Sequence, residues 1–161
     1  MRRTAWLLPV LLSCAGAGAG PRHGHGPSVH FDRSPETAAA DLPFSDAVRA
    51  GGLLFVSGQL GVQPGTTELV SGGIEVETRQ CLDNLRAILE RNGSSLERVV
   101  KCTAFLADMD EWARMNAVYR GYFPKGLPAR SAFGVGDRLS FHARIELECI
   151  AAVGEGPPRA P

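Results

Sequence analysis

Three places in the chain hold residue types that could do chemistry. Arg130 follows Pro128-Ala129 and precedes the small residues Ser131 and Ala132, at the expected start of a strand. A planar guanidinium with small neighbours suits a two-pronged grip on a carboxylate. Glu146 and Glu148 lie two apart in an alternating run. Both therefore point to one face, with Ile145, Leu147 and Cys149 opposite. A carboxylate that can hold a water is the minimal equipment for base-assisted attack. Ser57 and Gly58 sit in the apolar run Leu53 to Gln59. The hydroxyl can bond a ligand or a water, and the glycine lets backbone approach closely. Plainer readings stand beside each: an ion pair for Arg130, a solvated or interface pair for the two glutamates, a structural hydroxyl for Ser57.

Other chemistries find less support. Cys81, Cys102 and Cys149 fall on apolar faces, where a free cysteine acts as a small hydrophobe. Their odd number argues against a simple disulfide plan. No His, Cys and Asp cluster has metal-ligand spacing, so no metal is expected. His23 and His25, in PRHGHGPS, read as part of a solvated tail. Gly72-Gly73 precedes a helix but follows a loop, which does not fit a phosphate-binding turn. No cofactor is implied.

The elements that must position these residues are legible from periodicity. Ser28 to Arg33 alternates as a strand. Phe44 to Ala50 and Leu53 to Gln59 flank Gly51-Gly52 as a hairpin. From Ile74, apolar residues recur at three- and four-residue spacing through Leu89, giving a helix of about five turns. Glu75 and Glu77 favour its first turn, and Asn92-Gly93 stop it. Val99 to Leu106 is apolar on both faces, as for a strand inside a sheet. Asp108 or Asp110 caps a second helix. Trp112, Met115, Ala117, Val118, Tyr119 and Tyr122 would line its buried side, and Pro124 to Pro128 end it. Ala129 to Val135 and His142 to Val153 are the last strands. The order β-β-β-α-β-α-β-β predicts an α+β sandwich, with a mixed sheet and both helices on one face. The uncovered face is apolar enough to predict a subunit interface.

The length suits one domain. Lys and Arg number 17 against 17 Asp and Glu, so no bulk positive charge recruits nucleic acid. Residues 1–20 read as a targeting segment: Arg2-Arg3, an apolar stretch from Trp6 to Leu12, then Ala15, Ala17 and Ala19 alternating with glycine. Export to the periplasm follows. Leu11-Leu12-Ser13-Cys14 resembles a lipobox, which would place a lipid anchor on Cys14. A cytoplasmic or mitochondrial location is the alternative, and no span is expected. Residues 21–27 form a linker, 28–153 the folded domain and 154–161 a tail.

Taken together the motifs resemble the Rid family, also called YjgF, the reactive-intermediate imine deaminases. They are Leu42-Pro43-Phe44, the run from Phe55 to Gly61, Ser71-Gly72-Gly73, Val99 to Thr103, Met115-Asn116, Pro128 to Ala132, and Arg144 to Ala151. The resemblance covers about residues 28–153. It implies a chorismate-mutase-like fold and a homotrimer whose sheets form a barrel, with sites in the clefts between subunits. It implies cofactor-independent hydrolysis of small 2-imino acids to 2-keto acids and ammonia. Arg130 would hold the carboxylate and Glu146 would orient water. Ser57, Gly58 and Ser131 would complete the polar wall, with Phe44 as apolar wall and Asn116 as a ligand or packing contact. Glu148 is expected to be structural. Two departures stand out. Phe44 replaces the tyrosine of many active members, and the segment from Gly134 to His142 lacks the usual Leu-Pro-Lys turn and is one residue longer. They favour the rival reading, a non-catalytic binder of small keto acids.

Overall fold

The computed structural model describes residues 28–154. The expected targeting segment 1–20, with Cys14, the expected linker 21–27 and most of the expected tail lie outside the described residues. Among the described residues, no helix is long and apolar enough to cross a membrane.

Within the described residues six strands and three α-helices follow one another as β1 (Val29–Asp32), α1 (Pro35–Ala39), β2 (Ala47–Ala50), β3 (Leu53–Leu60), α2 (Ile74–Arg91), β4 (Val99–Leu106), α3 (Trp112–Tyr122), β5 (Ala129–Gly134) and β6 (Ile145–Ala152). The strands form one mixed sheet in the order β1-β2-β3-β6-β4-β5. Only β4 and β5 run parallel, because helix α3 makes the crossover between them. Ala50 pairs with Leu53 across the two-residue turn Gly51-Gly52. Gly51 takes a positive φ of 57°, which the glycine allows without strain.

The sheet's helix-covered face and the two long helices share one core. Leu54, Cys102, Ala104 and Leu147 from the strands meet Ile74, Leu82, Leu85 and Leu89 of α2 and Met115 and Tyr119 of α3. The other face carries Phe55, Phe105, Phe133, Glu148 and Ile150, and Phe55 and Phe133 are 43% and 52% exposed. The α+β arrangement, mixed sheet and one-sided helices stand as the sequence predicts.

Several local expectations are corrected. Helix α1 adds an element between the first two strands. It is too short for a periodic signal, although Ser34 caps it and Pro35 opens it. On α3 the stripe is narrower than expected: Trp112 is 44% exposed and Ala117 is also exposed. Met115, Tyr119 and Tyr122 at four- and three-residue spacing already fill the line facing the core. Asp108 caps a separate 3-10 turn, Met109–Glu111, that leads into α3. The last strand begins at Ile145, because Ser140–His142 form a tight turn with Phe141 and His142 at φ 59° and 60°. Cys102 and Cys149 form a disulfide rather than remaining free. They are direct partners across the β4/β6 register, with Cα atoms 4.1 Å apart. Counting cysteines could not show that register. Cys81 stays free and buried, and burial pushes its thiol up.

One polar network ties the N-terminal elements together. The Asp46 carboxylate accepts from the Ser34 N–H and the Thr37 hydroxyl, each at 2.5 Å, and from Arg91 at 3.2 Å. Arg91 and Asn92 also donate to Asp32. Burial pushes the Asp46 carboxyl up, but the hydrogen bonds from Thr37 and Ser34 and the Arg91 charge together hold it below 3.8. A depressed carboxyl contributes stability above its unfolded value and loses it as pH falls through the folded value. Asp46→Asn is therefore expected to cost about 1–3 kcal/mol in urea unfolding at pH 7. The gap between variant and wild type should narrow below about pH 3.8.

Candidate functional site

The candidate residues fall into two groups, set by strand position. The first sits at the middle of the sheet. Strand β3 changes register against β6 between Val56 and Gln59, so Ser57 and Gly58 form the irregular stretch. Ser57 donates its hydroxyl proton to the Ser45 carbonyl at 2.7 Å, which leaves its oxygen free to accept. This bond anchors the segment beside Phe44, itself 50% exposed. Glu146 packs over Gly58. A Cβ placed on Gly58 would fall 1.8 Å from Glu146 Oε1, so only glycine leaves the carboxylate where it is. Burial pushes the Glu146 carboxyl up, and the charge of Glu148 adds to this.

The start of β6 is fixed by a residue the sequence marked only as favourable for the helix end. Glu77 of α2 is 4% exposed and accepts the N–H groups of Arg144 at 2.6 Å and Ile145 at 3.4 Å. It thereby holds the strand end that carries Glu146. Burial pushes its own carboxyl up.

The second group lies at the sheet's edge. Arg130 on β5 is in register with Cys102 and so faces the helices. Its Nη2 donates to Asn116 Oδ1 at 2.5 Å, and its guanidinium lies 4.5 Å above the Tyr119 ring centroid. Asn116 and Tyr119, three residues apart on one face of α3, thus orient the guanidinium. Tyr119 was legible only as a core residue. Burial pushes its hydroxyl up to about 12, and its oxygen is buried without a hydrogen-bond partner among the described residues. Ser131 points the other way, to the open face, where Lys101 Nζ donates to its hydroxyl at 3.1 Å.

The two groups do not meet within one chain. Arg130 is in the row of Cys102 and Cys149, whereas Glu146 is in the row of Phe105 and Phe133. Those rows are three residues, or roughly 10 Å, apart along the strands, and β5 is two strands, again roughly 10 Å, from β6. Arg130 also projects to the helix face and Glu146 to the open face. A small acid cannot touch both through the sheet.

Beside Glu146 the open face holds a depression of about 660 Å³ lined by Phe105, Gly134, Val135, Arg138, Leu139 and Glu146. Phe105 and Phe133 stack along it with ring centroids 6.2 Å apart. Its size suits a small molecule. No group of three or more His, Cys, Asp or Glu among the described residues could hold a metal ion.

A mixed sheet with helices on one face, an open apolar face and a half-buried carboxylate beside a depression of small-molecule size defines a class of small α+β proteins. The comparisons give the class its family. Residues 34–153 match the family described as Endoribonuclease L-PSP. The chain is 41% identical over 116 residues to the 2-iminobutanoate/2-iminopropanoate deaminase of Mus musculus, covering 72% of this chain and 85% of the mouse protein. The crystal structure of the Rid family protein YyfA from Yersinia pestis is 34% identical, with a TM-score of 0.72, over 78% of this chain and 100% of that one. The Escherichia coli protein TdcF, solved with bound serine, is 32% identical, with a TM-score of 0.65, over 70% of this chain and 89% of that one. The chain belongs to the Rid/YjgF family, as its motifs suggest, and has that family's chorismate-mutase-like fold.

Proposed function

We propose that the protein hydrolyses small 2-imino acids to 2-keto acids and ammonia without a cofactor, at sites assembled between copies of the chain. Relatives from Mus musculus, Bos taurus and Capra hircus, 40–41% identical, carry the name 2-iminobutanoate/2-iminopropanoate deaminase. The observation that carries the assembly is the separation of Arg130 from Glu146. A second copy on the open apolar face would bring the Arg130 edge of one chain to the Glu146 face of the next. Closed rotational symmetry makes every such contact equivalent, and a trimer gives three sites. Arg130, pre-oriented by Asn116 and Tyr119, would take the substrate carboxylate. Glu146 would accept a proton from a water as its oxygen bonds to C2. Glu146 then returns that proton to the nitrogen of the tetrahedral carbinolamine, the C–N bond breaks to release ammonia, and the hydroxyl proton leaves to Glu146 as C=O forms, so one water enters, one ammonia departs and the carboxyl passes its last proton to solvent. The iminium carbon is already electrophilic, and most of the rate would come from holding water and substrate together.

Phe44 and the altered 134–142 segment support a second reading, binding of a small keto or amino acid without turnover; TdcF holds serine. A competition assay separates the two. An L-amino-acid oxidase makes 2-iminopropanoate, semicarbazide traps it, and the protein competes with the trap. Less semicarbazone is the expected result. An unchanged yield with a folded oligomer, together with thermal stabilisation by 2-oxobutanoate, would move the assignment to the binder.

Gly58→Ala tests the role of Glu146 without touching it. The added methyl displaces the end of a flexible side chain, so the melting temperature should change little. A misplaced carboxylate should lower kcat by up to about 10²-fold, read in the same assay.

For location, the N-terminal pattern and the Cys102–Cys149 disulfide support an oxidising compartment reached by export. The chloroplastic relative of Arabidopsis thaliana and the mitochondrial relative of Schizosaccharomyces pombe support an organelle instead.

A further inference from the structure

The depression beside Glu146 has a cationic wall that the proposed reaction of a simple aliphatic imine does not use. Arg138 lines it together with Glu146, yet the two form no ion pair. Among the described residues Arg138 has no salt-bridge partner, as is also true of Arg33, Arg49, Arg79, Arg98, Arg120 and Arg130; what sets it apart is its place beside Glu146 in the lining of the depression. The segment carrying it is shaped by unusual backbone. Gly136 has φ 68°, and Phe141 and His142 sit at φ 59° and 60°, a region that costs non-glycine residues energy and tends to occur where function requires it. Gly134, at the start of the segment, packs so closely on Met109 that a Cβ would lie 2.7 Å from its Cγ. The backbone thus places Arg138, whose side chain is exposed, on the rim of the depression that Glu146 also lines.

We propose that Arg138 binds a second, distal carboxylate and makes 2-imino dicarboxylic acids the preferred substrates. This rests on the deaminase reading above. Arg130 of one copy takes the carboxylate on C1, Glu146 faces the iminium carbon and its water, and Arg138 takes the carboxylate at the far end of the side chain. The three charges of the site alternate in sign as the ligand's own groups do. A cavity of about 660 Å³ accommodates a four- or five-carbon diacid. The guanidinium's planar fork matches a carboxylate two-for-two, which an ammonium does not.

The test compares imines made in situ from L-glutamate and L-alanine by their oxidases, with semicarbazide as the trap. Wild type is expected to show kcat/KM at least about tenfold higher for the dicarboxylic imine, and Arg138→Gln to lower the ratio of the two values by at least about tenfold. Arg138→Lys should restore part of that ratio. Equal ratios in wild type and Arg138→Gln would overturn the proposal while leaving the deaminase reading intact. If neither imine is turned over, the deaminase reading fails, and thermal shift then decides on Arg138. Greater stabilisation by 2-oxoglutarate than by 2-oxobutanoate, lost in Arg138→Gln, supports the subsite. Equal stabilisation by both acids overturns it.

Discussion

Arg130→Ala is expected to lower kcat/KM for 2-imino acids by at least ~10²-fold, roughly 2.7 kcal/mol of transition-state stabilisation. The size follows from what the guanidinium does. It would make charge-assisted hydrogen bonds to a carboxylate that is present in both ground state and transition state, so KM rises as well as kcat falling. The side chain is also pre-oriented: Asn116 accepts from Nη2 and the Tyr119 ring lies beneath the plane. Arg130→Lys should recover little, because an ammonium cannot match the fork or stack on Tyr119 in the same way. Parallel steady-state kinetics with the trap assay read both variants. Loss of the melting transition would show that the edge strand had failed instead. Arg130 is only partly buried, so its truncation should leave the core that spans Leu54, Leu85 and Leu147 in place.

Glu146→Gln would remove the proposed base. Loss of a positioned general base costs typically ~10²–10⁴-fold, and the effect should fall on kcat rather than KM. Glutamine has nearly the same shape, so the packing over Gly58 survives. The pH profile gives the distinguishing readout. In the proposed reaction the ionised carboxylate is the active form, and burial together with Glu148 pushes its titration above the ordinary glutamate value of 4.5. Activity of the wild type should therefore fall as pH drops through that raised value, and the acid limb should lie above pH 4.5. The residual activity of Glu146→Gln should lack this limb. A limb unchanged in the variant would assign the titration to another group.

The elements were readable where periodicity was long or strict. Ile74 to Leu89 repeats a helical stripe, and β4, read as a strand inside the sheet, does pair on both edges, with β5 and β6. Alternation at Ile145, Leu147 and Cys149 correctly placed Glu146 and Glu148 together on the other face. What the sequence could not show depends on register and on loops. The Cys102–Cys149 bond needs two strands 47 residues apart to fall opposite one another. Helix α1 has five residues and no stripe. The start of β6 depends on Glu77, whose carboxylate reaches backbone 67 residues away. A glutamate in a first helical turn usually serves the helix itself, so its type gave no warning.

The candidate site was partly legible for the same reasons. Ser57, Gly58 and Glu146 do gather, because neighbouring strands carry them. Arg130 and Asn116 also gather, because α3 leads directly into β5. The division between the groups was hidden: it requires the strand order, in which β5 is the edge and β6 lies two strands in. Ser131 alternates away from Arg130 and bonds Lys101 instead. Tyr119 is a core residue by pattern and a support for Arg130 by geometry.

The central claim is that Arg130 and Glu146 act across two copies of the chain, and complementation tests it most directly. Arg130→Ala supplies an intact Glu146 face, and Glu146→Gln supplies an intact Arg130 edge. Co-refolding the two inactive variants in equal amounts should regenerate about a quarter of the sites in a cyclic oligomer, since each contact needs the right partner on both sides. Activity near that fraction of wild type is the predicted result, with none when the separately refolded variants are mixed without exchange. Mixed oligomers verified by mass spectrometry that remain as inactive as either parent would contradict the account, because they would place both residues in a site formed within one chain.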